Sequence, residues 1–178
     1  MRSALGLVAT VAAIASFAGC GSIEAADNAV EATERSTVTF GGARYRVVGF
    51  RQLNVETAPA EALWDGDPPP PGHALYLAVI EVCNTGDRSM TSSSEIHLED
   101  AFGQRHAPRT SATDPDFAYT PRRLEPGDCF PRPDSAAERT VDGAALVFQI
   151  PTRSIDRPLV LEIGSSSSAG TARVKLDL

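Results

Sequence analysis

HALYLAVIEVCNTGD, residues 73–87, is the stretch of sequence that decides the fold. Its apolar run from Ala74 to Cys83 is interrupted only by Glu81, which is typical of a strand buried in the middle of a sheet. Turn-forming residues then follow at 84–87. The stretch therefore predicts a central strand that ends in a tight turn.

The segments on either side also predict strands. Residues 37–55 are rich in Val, Thr, Tyr and Phe, and Ile96 and Leu98 alternate with polar neighbours. Residues 58–72 form a loop, because the prolines at 68–71 cannot donate to a sheet ladder. Further alternating segments lie at 144–150, 159–163 and 172–176. Seven or eight short strands without a convincing helix predict an all-β immunoglobulin-like sandwich, with a small barrel as the alternative.

Length and charge limit the classes of function. The chain has 178 residues and a formal net charge of −7, and this length favours one domain with a tail. An acidic chain lacks the basic surface of a nucleic-acid-binding protein. We therefore expect no nucleic-acid partner.

The N-terminal residues predict export. One arginine precedes an uncharged run from Ala4 to Phe17, which at 1.5 Å per residue reaches only ~21 Å and is too short to span a bilayer. Small residues then precede Cys20, as in the lipobox of bacterial lipoproteins, although Phe17 replaces the usual Leu. That resemblance implies a signal peptide over residues 1–19 and a covalent lipid on Cys20. The alternatives are an ordinary cleavable signal and an uncleaved anchor helix.

The rest of the chain divides into a tether and a domain. Residues 20–36 have few large apolar groups, which predicts the lipidated cysteine followed by a flexible acidic tether. Residues 37–178 hold the strands of the sandwich. We expect the domain to lie on the extracytoplasmic side of the cell membrane, held there by its lipid.

Two cysteines remain after processing, Cys83 and Cys129. An even pair in an exported chain predicts a disulfide, since the compartment is oxidising. Two free thiols, or half of a metal site, are the alternative interpretations.

Four motifs occur in a familiar order. They are Asn84-Thr85-Gly86, Asp100 with Gly103, Pro126-Gly127-Asp128, and Phe148 with Pro151, with Leu146 where valine is common. This order resembles the telokin-like family of bacterial extracytoplasmic lipoproteins over roughly residues 38–163. The resemblance implies an immunoglobulin-like sandwich and supplies no catalytic residues.

Metal binding is the sharpest chemical hypothesis in the sequence. The turn at 100–103 could bring His97 and His106 together as a weak zinc or copper site. Two exposed surface histidines are the simpler interpretation. Catalysis has little support, because the chain contains none of the common nucleophile, zinc-protease or phosphate-loop motifs.

Recognition by loops is the remaining possibility. Trp64 lies in a polar loop, where it can serve either as a binding residue or as a cap on the open end of the sandwich. Arg122 and Arg123 form a basic doublet that could dock an anionic partner or be simply solvated. The sequence therefore predicts a non-enzymatic binding or interaction module that contacts an envelope protein or a wall ligand. A copper- or zinc-handling domain is the alternative, followed by an enzyme of unrecognised type.

Overall fold

The computed structural model describes residues 29–58, 60–109, 113–155, 158–164 and 170–177. The predicted signal peptide, residues 1–19, and the predicted lipid site, Cys20, lie outside these residues. Within them, no helix has the length and apolar character that crossing a membrane requires.

The described part of the chain contains twelve strands. Eight of them have four or more residues, in line with the seven or eight expected, and the other four have only two residues each. In chain order they are β1 (Ala29–Thr33), β2 (Thr37–Phe40), β3 (Ala43–Leu53), β4 (His73–Asn84), β5 (Met90–Thr91), β6 (Ile96–Glu99), β7 (Arg105–His106), β8 (Arg123–Leu124), β9 (Cys129–Phe130), β10 (Ala144–Pro151), β11 (Leu159–Gly164) and β12 (Thr171–Leu176).

Two five-stranded sheets build a β-sandwich, so the predicted fold class is confirmed. One sheet, here called the front sheet, has the order β10-β4-β3-β2, with β9 added beside β4. The other, the back sheet, has the order β1-β12-β11-β6-β7, and β5 pairs with β8 in a separate two-stranded unit. Every pair in both sheets is antiparallel except β1 with β12.

Strand β4 is buried on both faces, as its continuous apolar run predicts. Tyr76 and Ile80 belong to the main core between the sheets. Leu75 and Leu77 belong to a second cluster, which lies on the outer face of the front sheet and includes Trp64. The front sheet therefore offers no bare apolar face around β4.

Strand β1 corrects the predicted extent of the tether. The sequence predicts a flexible tether over residues 20–36, but Ala29–Thr33 pair with β12, from Ala29 opposite Thr171 to Thr33 opposite Lys175. Four of its five residues are exposed, because it is an edge strand that contributes little to the core. A strand of this kind carries almost no apolar signal in its sequence.

A short helix, α1 (Ala136–Val141), is the other element that the sequence did not predict. The hydroxyl of Ser135 caps it by accepting a hydrogen bond from the Glu138 backbone N–H. Asp142 ends it in a left-handed conformation with φ of 58°. With six residues, it is too short to show a helical apolar period.

The cysteines are joined as the sequence predicts. Cys83 and Cys129 form a disulfide that links β4 to β9, and they lie directly opposite each other in the ladder. The bond closes a long loop, with a sequence separation of 46.

The registers define two poles of the sandwich. The entry pole holds the start of β1 at Ala29, the end of β11 at Gly164 and, in the front sheet, the end of β4 at Asn84. The far pole holds the end of β1, the start of β4 and the turn from β6 to β7 around Asp100. The chain thus enters the sandwich from the entry pole.

Candidate binding site

The two histidines of the metal hypothesis are not brought together. His106 lies opposite Leu98 in the β6–β7 ladder, so its side chain shares the core-facing side of the back sheet with Leu98. His97, the next residue along β6, points to the outer face and lies opposite Glu162. Adjacent residues of one strand face opposite sides of the sheet. His97 and His106 therefore lie on opposite faces, and the prediction that they share a metal site is wrong.

His106 has a different partner, the buried carboxylate of Asp100. Its Nε2 lies 2.9 Å from Oδ2, while Oδ1 accepts the backbone N–H groups of Phe102 and Gln104 at 2.9 and 3.0 Å. Burial raises the pKa of Asp100, but these hydrogen bonds outweigh it and the pKa lies below the usual value. This arrangement fixes the turn at the far pole and leaves no carboxylate oxygen free for a ligand.

The cysteines do not supply metal ligands either. Among the described residues, the three candidate donors that cluster are the Glu81 carboxylate and the sulfurs of Cys83 and Cys129. The two sulfurs are bonded to each other. A disulfide sulfur carries no thiolate charge, and thiolate is the form that binds metal ions.

Trp64 is a buried structural residue. Only 6% of it is exposed, and it packs in the second cluster over the outer face of the front sheet. Its indole N–H donates a hydrogen bond to the carbonyl oxygen of Asp67 at 3.2 Å. This position fits neither interpretation: Trp64 is buried and offers no binding surface, and it covers the outer face of the front sheet and not an open end of the sandwich.

Three surface concavities in the described structure differ in their charge. One of about 470 Å³ beside α1 is lined by three arginines and three acidic residues, and one of about 560 Å³ near Pro68 has a single acid, Glu56. The third, also of about 470 Å³, is lined by three arginines against one aspartate. We call it the arginine pocket; its lining residues are 122–124, 127–130, 132 and 133.

A tight turn between β8 and β9 shapes the arginine pocket. The Asp128 backbone N–H donates to the Glu125 carbonyl oxygen at 2.9 Å, and Gly127 occupies the left-handed region with φ of 84°. The turn is tied to Asn84 at the end of β4 by two backbone hydrogen bonds of 2.8 and 3.0 Å. The pocket therefore lies at the entry pole, on a rigid frame.

Arg122 is held over an aromatic ring in this pocket. Its guanidinium carbon lies 3.4 Å from the centre of the Phe130 ring, a cation–π geometry. The side chain donates hydrogen bonds to the carbonyl and the hydroxyl of Thr120, at 3.3 and 2.6 Å. Both acceptors are neutral, so the positive charge of Arg122 is positioned without being compensated.

The other charges of the pocket differ in how they are paired. Arg123 forms an ion pair with Glu125 at 3.0 Å and is largely neutralised by it. Arg132 takes part in none of the ion pairs found between described residues. Burial and the nearby positive charge of Arg132 both lower the pKa of Arg122. Two like charges thus share one concavity.

Part of this site could be expected from the amino-acid pattern. The Arg122–Arg123 doublet stands out as basic, but only one member remains uncompensated. Arg132 and Phe130 carried no signal, because a lone arginine and a strand aromatic are both ordinary. Their relation to Arg122 depends on the β4–β9 pairing, which brings Phe130 opposite Val82.

No family model and no curated relative matches the sequence. Solved structures do resemble it at low identity. The yjhA protein from Bacillus subtilis has a TM-score of 0.52 at 13% identity, covering 82% of this chain and 99% of that one. A "putative lipoprotein (ycdA)" from Bacillus subtilis subsp. subtilis str. 168 has a TM-score of 0.54 at 12% identity, with 82% and 39% covered. A conserved hypothetical protein from Bacillus anthracis has a TM-score of 0.52 at 11% identity, with 82% and 95% covered.

These likenesses show a shared fold. The resemblance of the sequence to the telokin-like family stays a prediction.

Proposed function

We propose that the protein is a lipid-anchored extracytoplasmic lipoprotein whose β-sandwich is a non-enzymatic binding module at the cell envelope. One observation carries the proposal: a leader with an uncharged run from Ala4 to Phe17 leads to Cys20, ahead of a disulfide-bonded sandwich. The likeness of its fold to a protein described as a "putative lipoprotein" supports the same assignment. The resemblance of the sequence to the telokin-like family of extracytoplasmic lipoproteins is part of this proposal.

The arginine pocket supports binding in preference to catalysis. Its described residues offer fixed positive charge and an aromatic wall, and none of the three histidines lines it. Proton transfer at neutral pH usually needs a group that titrates nearby, most often histidine. The pocket is thus suited to holding an anionic group on an envelope protein or a wall ligand.

Anchoring through Cys20 would keep the entry pole near the lipid. Nine Cα–Cα steps separate Cys20 from Ala29, the first residue of β1. Even a fully extended chain of that length reaches only about 30 Å. The net charge of −7 opposes binding to a long nucleic acid, so the partners we propose are the membrane, reached through the lipid, and an envelope component.

Fractionation of cells tests the anchor. The lipobox resemblance implies a diacylglyceryl group and an acylated amine on Cys20, and two acyl chains already anchor a protein stably. The wild-type protein should therefore remain in the membrane fraction after a high-salt wash and should incorporate a labelled fatty acid. The Cys20→Ala variant should lose the label and leave the washed membranes. A C83A/C129A double variant is the matched control, since it removes two cysteines and keeps Cys20. Cytosolic wild-type protein, or an unlabelled protein that stays on the membrane, would contradict the proposal.

A further inference from the structure

The arginine pocket holds two guanidinium groups without carboxylate partners among the described residues. Arg122 lies over Phe130 and donates only to the neutral oxygens of Thr120. Arg132 lines the same concavity and takes part in none of the described ion pairs. Folding brings these two like charges close enough to repel each other.

An anion would convert this repulsion into attraction. A guanidinium group presents a planar set of N–H donors that matches the oxygens of phosphate or carboxylate two at a time. Stacking on Phe130 fixes the plane of Arg122 in advance, so less side-chain entropy is lost when a ligand binds. The concavity of about 470 Å³ is large enough for a phosphate with a small organic substituent.

We propose that the arginine pocket binds a phosphate group, with Arg122 and Arg132 as its two charged donors. Phosphate fits better than carboxylate, because its several oxygens can engage two arginines from different directions at once. Asp128 also lines the pocket, but its Oδ2 accepts the Glu125 backbone N–H at 3.0 Å, and the turn thereby holds it in place.

Two sources can supply the phosphate. One is the headgroup of an anionic membrane lipid, which the position of the pocket at the entry pole favours. That source rests on the proposed anchoring through Cys20, whereas phosphate binding itself does not. The other source is a soluble phosphate ester in the envelope.

Calorimetric titration with inorganic phosphate tests the site. The full-length protein in a neutral detergent should bind phosphate saturably, with a dissociation constant of about 1 mM or tighter at constant ionic strength. Arg122→Gln and Arg132→Gln should each weaken binding about tenfold, since each removes charge-assisted hydrogen bonds. Arg153→Gln is the matched control, because Arg153 is exposed and lies at the far pole.

The variants differ in what they can disturb. Both arginines are exposed, but Arg122 also packs on Phe130, so its loss could affect folding. The replacement of Arg132 should leave the free energy of unfolding unchanged. Absence of saturable binding at roughly 10 mM phosphate, unchanged affinity in R132Q, or an equal loss in R153Q would overturn the proposal.

Soluble headgroups identify the source. Glycerophosphoglycerol carries the phosphodiester of an anionic lipid, and glycerol phosphate carries a phosphomonoester. Tighter binding of the diester assigns the lipid headgroup, and tighter binding of the monoester assigns a soluble ester. Because these titrations need no membrane, they can fail while the fractionation of the Cys20→Ala variant succeeds, and the reverse also holds.

Discussion

Replacing both Cys83 and Cys129 by alanine should lower the free energy of unfolding by about 4 kcal/mol. The disulfide closes a loop with a sequence separation of 46, and the chain-entropy model assigns about 4 kcal/mol to a loop of this length. Strand β9 adds to the sensitivity, since only two of its residues pair with β4. The disulfide therefore adds a covalent link between the front sheet and β9, whose residues line the arginine pocket.

Urea unfolding, followed by fluorescence, measures the effect. Trp64 is the only tryptophan and is buried, so its emission reports on the second apolar cluster. We expect a lower midpoint and a steeper slope, because the unfolded chain without the cross-link is more extended and exposes more surface. The melting temperature should be lower by roughly 8–16 °C, given 2–4 °C per kcal/mol for a domain of this size.

The wild-type protein in excess reductant is the matched control and should unfold like the double variant. A loss of less than about 1 kcal/mol would refute the reasoning, because the closed loop would then not constrain the unfolded chain.

Three further predictions test other parts of the structure. Trp64→Ala should cost about 3–5 kcal/mol of stability, measured by circular dichroism. Trp64→Phe should cost clearly less, because it keeps most of the aromatic packing. Equal and negligible costs for the two variants would contradict the burial of Trp64. The lowered pKa of Asp100 means that its carboxylate stabilises the fold above the ordinary value of 3.8 and that this contribution is lost as the pH falls through the folded-state pKa. Asp100→Asn should therefore cost about 2 kcal/mol at pH 7 and flatten the acid limb of the stability–pH curve below about pH 4, and an unchanged curve would refute the assignment. Gly143→Ala should cost about 1–3 kcal/mol of stability, since the added Cβ would lie 2.5 Å from a methyl group of Val79. Gly49→Ala is its control: the added Cβ would meet only an ordinary contact with Glu34 at 3.8 Å, and stability should change by less than about 1 kcal/mol.

The strands that build the core could be predicted because buried strand positions are occupied by apolar residues. Strand β4 is apolar on both faces, and strand β10 carries Leu146, Phe148 and Ile150 on one face, as predicted. The disulfide followed from counting cysteines in an exported chain. In each case the residues that form the sequence pattern are the same residues that pack or bond together in the structure.

The remaining features depend on partners far away in the sequence. Strand β1 is largely exposed, and it forms because its backbone pairs with that of β12. His97 and His106 are close in the chain, but the β6–β7 register places them on opposite faces of the sheet. The relation of Arg122 to Phe130 follows from the pairing of β9 with β4, which no local pattern of residues reveals.

The apolar surface left to solvent limits how this sandwich can recognise a partner. Among the described residues, the large hydrophobic side chains that are exposed are Val30, at 41%, and Phe102, at 67%. They lie apart, Val30 near the entry pole and Phe102 in the turn at the far pole. Neither forms the contiguous patch by which proteins usually bind through hydrophobic contact. Trp64 and its cluster already cover the outer face of the front sheet. Among the described residues, charge and hydrogen bonds are therefore better placed than apolar contact to supply binding energy, and the arginine pocket offers both.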